Sequence, residues 1–161
     1  PDGLWRRAWI NAVTALESTP EVPLVLRQPQ GRGLILQGGP GWESHIVTAD
    51  LTFQGGCCGL IVRATGLRRY VAFEVGGGAV RLVHWHDGVR RVLDEAELED
   101  VAGSRCRLAV RVSGDAISAA LNDRIWFDHA DLLAGIPAEG MIGLFVEDGD
   151  LAVTDVTITP A

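Results

Sequence analysis

In residues 105–112 (RCRLAVRV), Cys106, Leu108, Val110 and Val112 alternate with Arg105, Arg107 and Arg111. A helix would scatter these apolar side chains around its circumference. A strand sends successive side chains to opposite faces, so the alternation demands one buried face and one open face. The same period runs through 46–53 (IVTADLTF), where Val47, Ala49, Leu51 and Phe53 oppose Thr48, Asp50 and Thr52. It returns in 115–121 with Ile117, Ala119 and Leu121 on one face. Half-buried antiparallel sheets carry this signature, and buried parallel sheets do not. Turn chemistry punctuates the pattern at Gly76-Gly77-Gly78, Asp87-Gly88, Ser113-Gly114-Asp115, Asn122-Asp123 and Asp148-Gly149-Asp150. Roughly ten to twelve short strands spaced in this way predict an all-β, two-sheet antiparallel β-sandwich. Single helical turns are expected at 129–134 (HADLLA) and around 95–101.

Residues 1–23 differ in character from the rest of the chain. Trp5, Trp9, Val13 and Leu16 fall at roughly helical spacing, and Pro20 and Pro23 would break any helix. This stretch reads as a lead-in or linker, with the sandwich domain over 24–161. The chain begins at Pro1 rather than Met, so a preceding segment is expected. A length of 161 residues suits one domain with a core of its own. The balance of 14 Lys+Arg against 21 Asp+Glu, net −7, argues against a nucleic-acid partner. No apolar run is long enough for a membrane helix. Cys57, Cys58 and Cys106 make no disulfide framework, and an odd count of thiols fits a reducing, cytoplasmic setting.

The run GRGLILQGGPGWESHIVTADLTFQGGCCGLIVRATGLRRYVAFEV resembles a concanavalin A-like jelly roll. VRLVHWHDGVRRVL, RLAVRVSGDAISAALNDRIWFD and GMIGLFVEDGDLAVTDVTI continue it in order. The whole is similar to the C-terminal β-sandwich of certain bacterial ADP-ribosylglycohydrolase-family proteins, where a lead-in like LWRRAWINAV precedes it. Laminin G-like and 3-keto-disaccharide hydrolase-like domains share the fold. The resemblance implies a non-catalytic accessory module, covalently linked to an N-terminal hydrolase domain that removes ADP-ribose. That family's metal-binding acidic motifs belong to its helical catalytic domain and have no counterpart here, so no catalytic residue and no cofactor is carried over.

The residues themselves agree that chemistry is absent. Glycoside hydrolysis needs two carboxylates facing each other across the sugar. Glu74 has no partner at either same-face spacing, and Asp94, Glu95, Glu97, Glu99 and Asp100 read as a solvated loop or turn. His84 and His86 share a strand face but lack a third zinc ligand nearby in sequence. Glu147, Asp148 and Asp150 around Gly149 form a weak candidate calcium loop, and a polar β-turn is the preferred reading of the same residues. The candidate ligand face is derived from alternation. With Val71, Phe73, Val75, Val80 and Leu82 inward, Tyr70, Glu74, Arg81 and Trp85 point outward, and Arg63, Arg107 and Arg111 lie opposite the apolar rows of their strands. If these strands are neighbours, the face joins aromatic rings that stack on sugars to guanidinium forks that suit phosphate or carboxylate. A carbohydrate or ADP-ribosyl ligand is the expected partner. The alternative is a structural module docked on its catalytic domain or on another copy, and a glycosidase is a distant third.

Overall fold

The alternating rows fold into eleven strands, every pairing antiparallel, in a computed structural model that describes residues 10–22, 24–38 and 43–161. They are β1 (Ile10–Ala12), β2 (Ala15–Glu17), β3 (Leu24–Gln37), β4 (His45–Gly66), β5 (Arg69–Gly76), β6 (Ala79–His86), β7 (Val89–Glu97), β8 (Arg105–Ser113), β9 (Ala116–Leu121), β10 (Arg124–His129) and β11 (Met141–Pro160). Three are far longer than the sequence pattern suggests: β3, β4 and β11 span 14, 22 and 20 residues. Each bends midway and gives one half to each of two layers. In layer A the order is β2, the first half of β3, the second half of β11, the first half of β4, then β8, β9 and β10. In layer B it is β1, the second half of β3, the first half of β11, the second half of β4, then β5, β6 and β7.

The bends lie where backbones touch. Gly55 in β4 has φ of 108°, a conformation L side chains rarely adopt, and a Cβ there would overlap the carbonyl oxygen of Asp148. A Cβ on Gly149 of β11 would overlap the carbonyl oxygen of Gln54. Beside them, the Asp148 carboxylate accepts the backbone N–H of Gly31 at 2.6 Å, which ties the bend of β3 to that of β11. Asp148-Gly149-Asp150 is therefore a bulge inside one strand and not the hairpin turn expected from sequence.

Between the layers, Val47, Ala49, Leu51 and Phe53 of β4 meet Leu60, Val71, Phe73, Val80 and Leu82 of layer B in one core, with Leu108, Val110 and Val112 from β8. Burying each of the larger side chains stabilises the fold by about 1.5–3 kcal/mol. The hairpin turns sit where they were expected, with positive φ at Asp87, Asn122 and Asp123. The helical readings fail. Residues 10–12 and 15–17 of the lead-in are edge strands on β3, because their backbone hydrogen bonds outweigh a weak helical period. Residues 132–135 are a turn, and 95–97 extend β7. Trp5 and Trp9, which carried the helical spacing of the lead-in, lie outside the described residues.

Candidate ligand-binding face

Hairpin register assembles the outer face of layer B. The β5–β6 turn sets Tyr70 opposite Trp85 and Glu74 opposite Arg81. The β6–β7 turn sets Trp85 opposite Arg90. From the other side, β3 sets Leu34 opposite Phe145 and Arg32 opposite Glu147 of β11. These side chains share one surface. Its apolar floor is a second buried cluster of Leu34, Leu36, Cys57, Ile61, Ala64, Tyr70, Ala72 and Phe145, with Trp85 and Met141 packed against it.

On that floor rests a charged network centred on Glu74, whose side chain is 2% exposed. One carboxylate oxygen accepts Arg32 Nη2 at 2.9 Å and Trp85 Nε1 at 3.5 Å, and the other accepts Arg90 Nη2 at 3.1 Å. Arg32 also donates through Nε to the Tyr70 hydroxyl at 2.8 Å. Its guanidinium lies 3.8 Å from the centre of the Phe145 ring and 4.8 Å from that of Trp85, a desolvated cation–π arrangement. Tyr70 and Trp85 are themselves stacked, their centroids 6.1 Å apart. Burial raises the Tyr70 pKa, partly offset by Arg32, so the phenol stays protonated. Cys57, at the edge of the floor, gives its thiol to Glu147 at 3.4 Å; burial, aided by Glu74 and Glu147, pushes its pKa up to about 12. That thiol is inert toward nucleophilic chemistry. Arg81 pairs with Glu95 at the rim.

Four of the residues expected on the face are brought together: Tyr70, Glu74, Arg81 and Trp85. Three are not. Arg63 is 2% exposed, at φ of 55°, and its guanidinium points into the end of the sandwich. There it donates to the carbonyls of Gly114 at 2.8 Å, Glu43 at 3.2 Å and Pro137 at 3.4 Å, clasping three loops. Arg107 and Arg111 belong to β8, which is in layer A, so they emerge on the opposite side of the molecule. Arg107 pairs there with Asp50 at 2.9 Å. The composite face failed because alternation gives a residue's side of its own strand and leaves the strand's layer open. Arg32, Arg90 and Phe145 were missed. A signal for Arg32 existed: it stands in the same alternating row as Leu34 and Leu36, and a charge in an apolar row calls for a buried counter-ion.

The calcium loop is not formed either. The Asp148 carboxylate holds the Gly31 N–H, Asp150 pairs with Arg27 at 3.0 Å, and Glu147 takes the Cys57 thiol. Among the described residues no cluster of three or more His, Cys, Asp or Glu side chains converges on a point. The imidazoles of His84 and His86 stand 6.0 Å apart without a third ligand among those residues.

No protein-family model matches this chain, and no curated protein matches it. Solved structures do. The carbohydrate-binding module CBM66 from Bacillus subtilis is 21% identical with a TM-score of 0.82, over 94% of both chains. A Bacillus subtilis protein of unknown function with a galectin-like fold is 12% identical with a TM-score of 0.74, over 96% of this chain and 90% of that one. Sheep galectin-11, in complex with glycerol, is 18% identical with a TM-score of 0.58, over 77% of this chain and 96% of that one. At such identities the likeness establishes architecture alone: the chain has the concanavalin A-like jelly-roll fold.

Proposed function

We propose that this chain is a non-catalytic carbohydrate-binding module whose ligand docks on the outer face of layer B. The observation that carries the reading is the buried Glu74 carboxylate shared by Arg32, Arg90 and the Trp85 indole. A buried ion-pair network is generally no more stabilising than apolar residues of the same volume. Its placement beside aromatic rings at a solvent boundary therefore supports recognition over mere packing. Glu74 acts as a positioning residue, since its acceptors are taken. Trp85, half-buried, offers ring surface, and Arg90, whose side chain is 37% exposed, offers unused N–H donors to sugar hydroxyls and ring oxygens. The presence of a carbohydrate-binding module among the structural relatives is in keeping with this assignment.

The face carries Arg32, Arg81 and Arg90 against Glu74, Glu95, Glu97 and Glu147, so it has no excess of positive charge. That favours an uncharged glycan over the diphosphate of an ADP-ribosyl group. The sequence resemblance supports a setting in which the module is joined to a hydrolase. The docking alternative has less support. Among the described residues, the exposed large apolar side chains Ile10, Leu67, Val89, Val92 and Ile125 are divided between β1, β7, β10 and the β4–β5 turn.

Calorimetric titration of the chain with neutral oligosaccharides, ADP-ribose and NAD, paired with tryptophan fluorescence, tests the proposal. A neutral saccharide is expected to bind, Trp85→Ala to abolish binding, and Arg90→Ala to weaken it roughly tenfold. Silence across the neutral panel, or binding that survives Trp85→Ala, refutes the reading. Tighter binding of ADP-ribose would transfer it to the ADP-ribosyl ligand.

A further inference from the structure

The outer face of layer A holds a second feature, which the Glu74 network and its ligand face leave unused. Register places Arg111 of β8 opposite Ser118 of β9, and Ser118 opposite Asp128 of β10. The three therefore form one cross-strand row. Neighbouring strands lie about 4.8 Å apart, so the Arg and Asp backbones are separated by roughly 10 Å with a small residue between them. Ser113 and Ala116, which face each other at the β8–β9 turn, extend the depression. The result is a groove of about 260 Å³ lined by Arg111, Ser113, Ala116, Ile117, Ser118 and Asp128. It falls just under the ~300–1,000 Å³ range of drug-sized sites, so it suits a single ring.

Among the described residues, no side chain pairs with the charged walls of this groove. Arg107, on the same face of the same strand, is bonded to Asp50. Arg27, Arg69 and Arg81 also have carboxylate partners. Arg111 and Asp128 have opposite charges and stand two strands apart, yet neither side chain makes an ion pair or hydrogen bond with another described residue. The groove thus presents a guanidinium fork that only donates, a carboxylate that only accepts, and two hydroxyls that do both. Adjacent hydroxyls of a sugar ring each donate and accept, and they complement such a set. Ala116 supplies an apolar patch for ring C–H groups. A bare anion would meet Asp128 and a bare cation Arg111, so the charge arrangement selects against both.

We infer that the Arg111–Asp128 groove is a second binding site, for a neutral polyhydroxylated ring of monosaccharide size. It lies on the face of the molecule opposite Trp85. This inference does not depend on the layer B site.

The test is ¹⁵N–¹H chemical-shift mapping of the chain with methyl glucoside, methyl galactoside and glucuronate at millimolar concentration. A methyl glycoside is expected to shift the amides of Ser113, Ser118 and Asp128, whether or not Trp85 responds. Arg111→Ala and Asp128→Asn should each weaken that response about tenfold or more. Arg107→Ala, on the same face but outside the groove, should leave it unchanged, as should Trp85→Ala. Loss of the Trp85 response alone would remove the layer B assignment and leave this one standing. No shift at the groove amides, an equal response in Arg111→Ala and Asp128→Asn, or a stronger response to glucuronate than to the neutral glycosides would overturn the inference.

Discussion

Removing the Arg32 side chain is the sharpest probe of the network under Trp85. In Arg32→Ala, Glu74 loses a 2.9 Å charge-assisted hydrogen bond whose deletion costs about 1.5–3 kcal/mol. The Tyr70 hydroxyl loses its donor, and Phe145 loses a cation stacked 3.8 Å away, the latter worth about 1–2 kcal/mol when desolvated. Glu74 keeps Arg90 and the Trp85 indole, so the carboxylate is not stranded and the total stays at the lower end of the ~3–5 kcal/mol for a fully broken buried pair. The expected destabilisation is about 3 kcal/mol, read as a shift of the urea midpoint at constant slope. For a domain of this size it corresponds to roughly 6–12 °C in Tm. The double variant Arg32→Met/Glu74→Leu removes both charges together and should recover most of that loss, while abolishing saccharide binding on layer B. A loss under about 1 kcal/mol in Arg32→Ala would refute the reasoning, because Glu74 would then not depend on Arg32. So would a double variant as unstable as the sum of the singles, which would mean the two residues are uncoupled.

Other parts of the structure give further outcomes. Gly55→Ala adds a Cβ onto the Asp148 carbonyl at φ of 108° and should cost several kcal/mol or prevent folding, whereas Gly66→Ala, with open space around it, should be near neutral by thermal melting. His45 is buried, and burial first, then the charge of Arg63, lowers its pKa below 6.5. The unfolded chain therefore binds the extra proton first: His45 contributes stability above about pH 6.5 that is lost as pH falls toward its folded pKa. Urea midpoints at pH 7.5 and 5.5 should differ less in His45→Leu than in the parent, and an unchanged difference would exclude this source.

Much of the layer B face could be read from local register. A two-residue turn at Gly77-Gly78 fixes Tyr70 against Trp85 and Glu74 against Arg81, and the turn at Asp87-Gly88 fixes Trp85 against Arg90. Alternation separates their outward faces from Phe73 and Leu82. Arg90 was within reach of the same arithmetic. Arg32 and Phe145 were not, because β11 meets β3 and β4 through pairings that no short turn dictates. The three long strands were read as several short ones for a related reason. At Gly55 and Gly149 the alternation is interrupted as it would be at a hairpin, and only the partner strand shows that the chain bends and continues.

The amino-acid order alone determined that the chain is built of antiparallel strands, where its hairpins turn, and which side of each strand is apolar. These are properties of residues a few positions apart, fixed by side-chain alternation and local backbone preference. Tertiary structure decided which layer each strand joins. It thereby put Arg107 and Arg111 on one side of the molecule and Trp85 on the other, and delivered Arg32 to Glu74 across 42 residues of sequence. That choice depends on burying two apolar faces against each other through three strands that pass from layer to layer, an energy summed over the whole core.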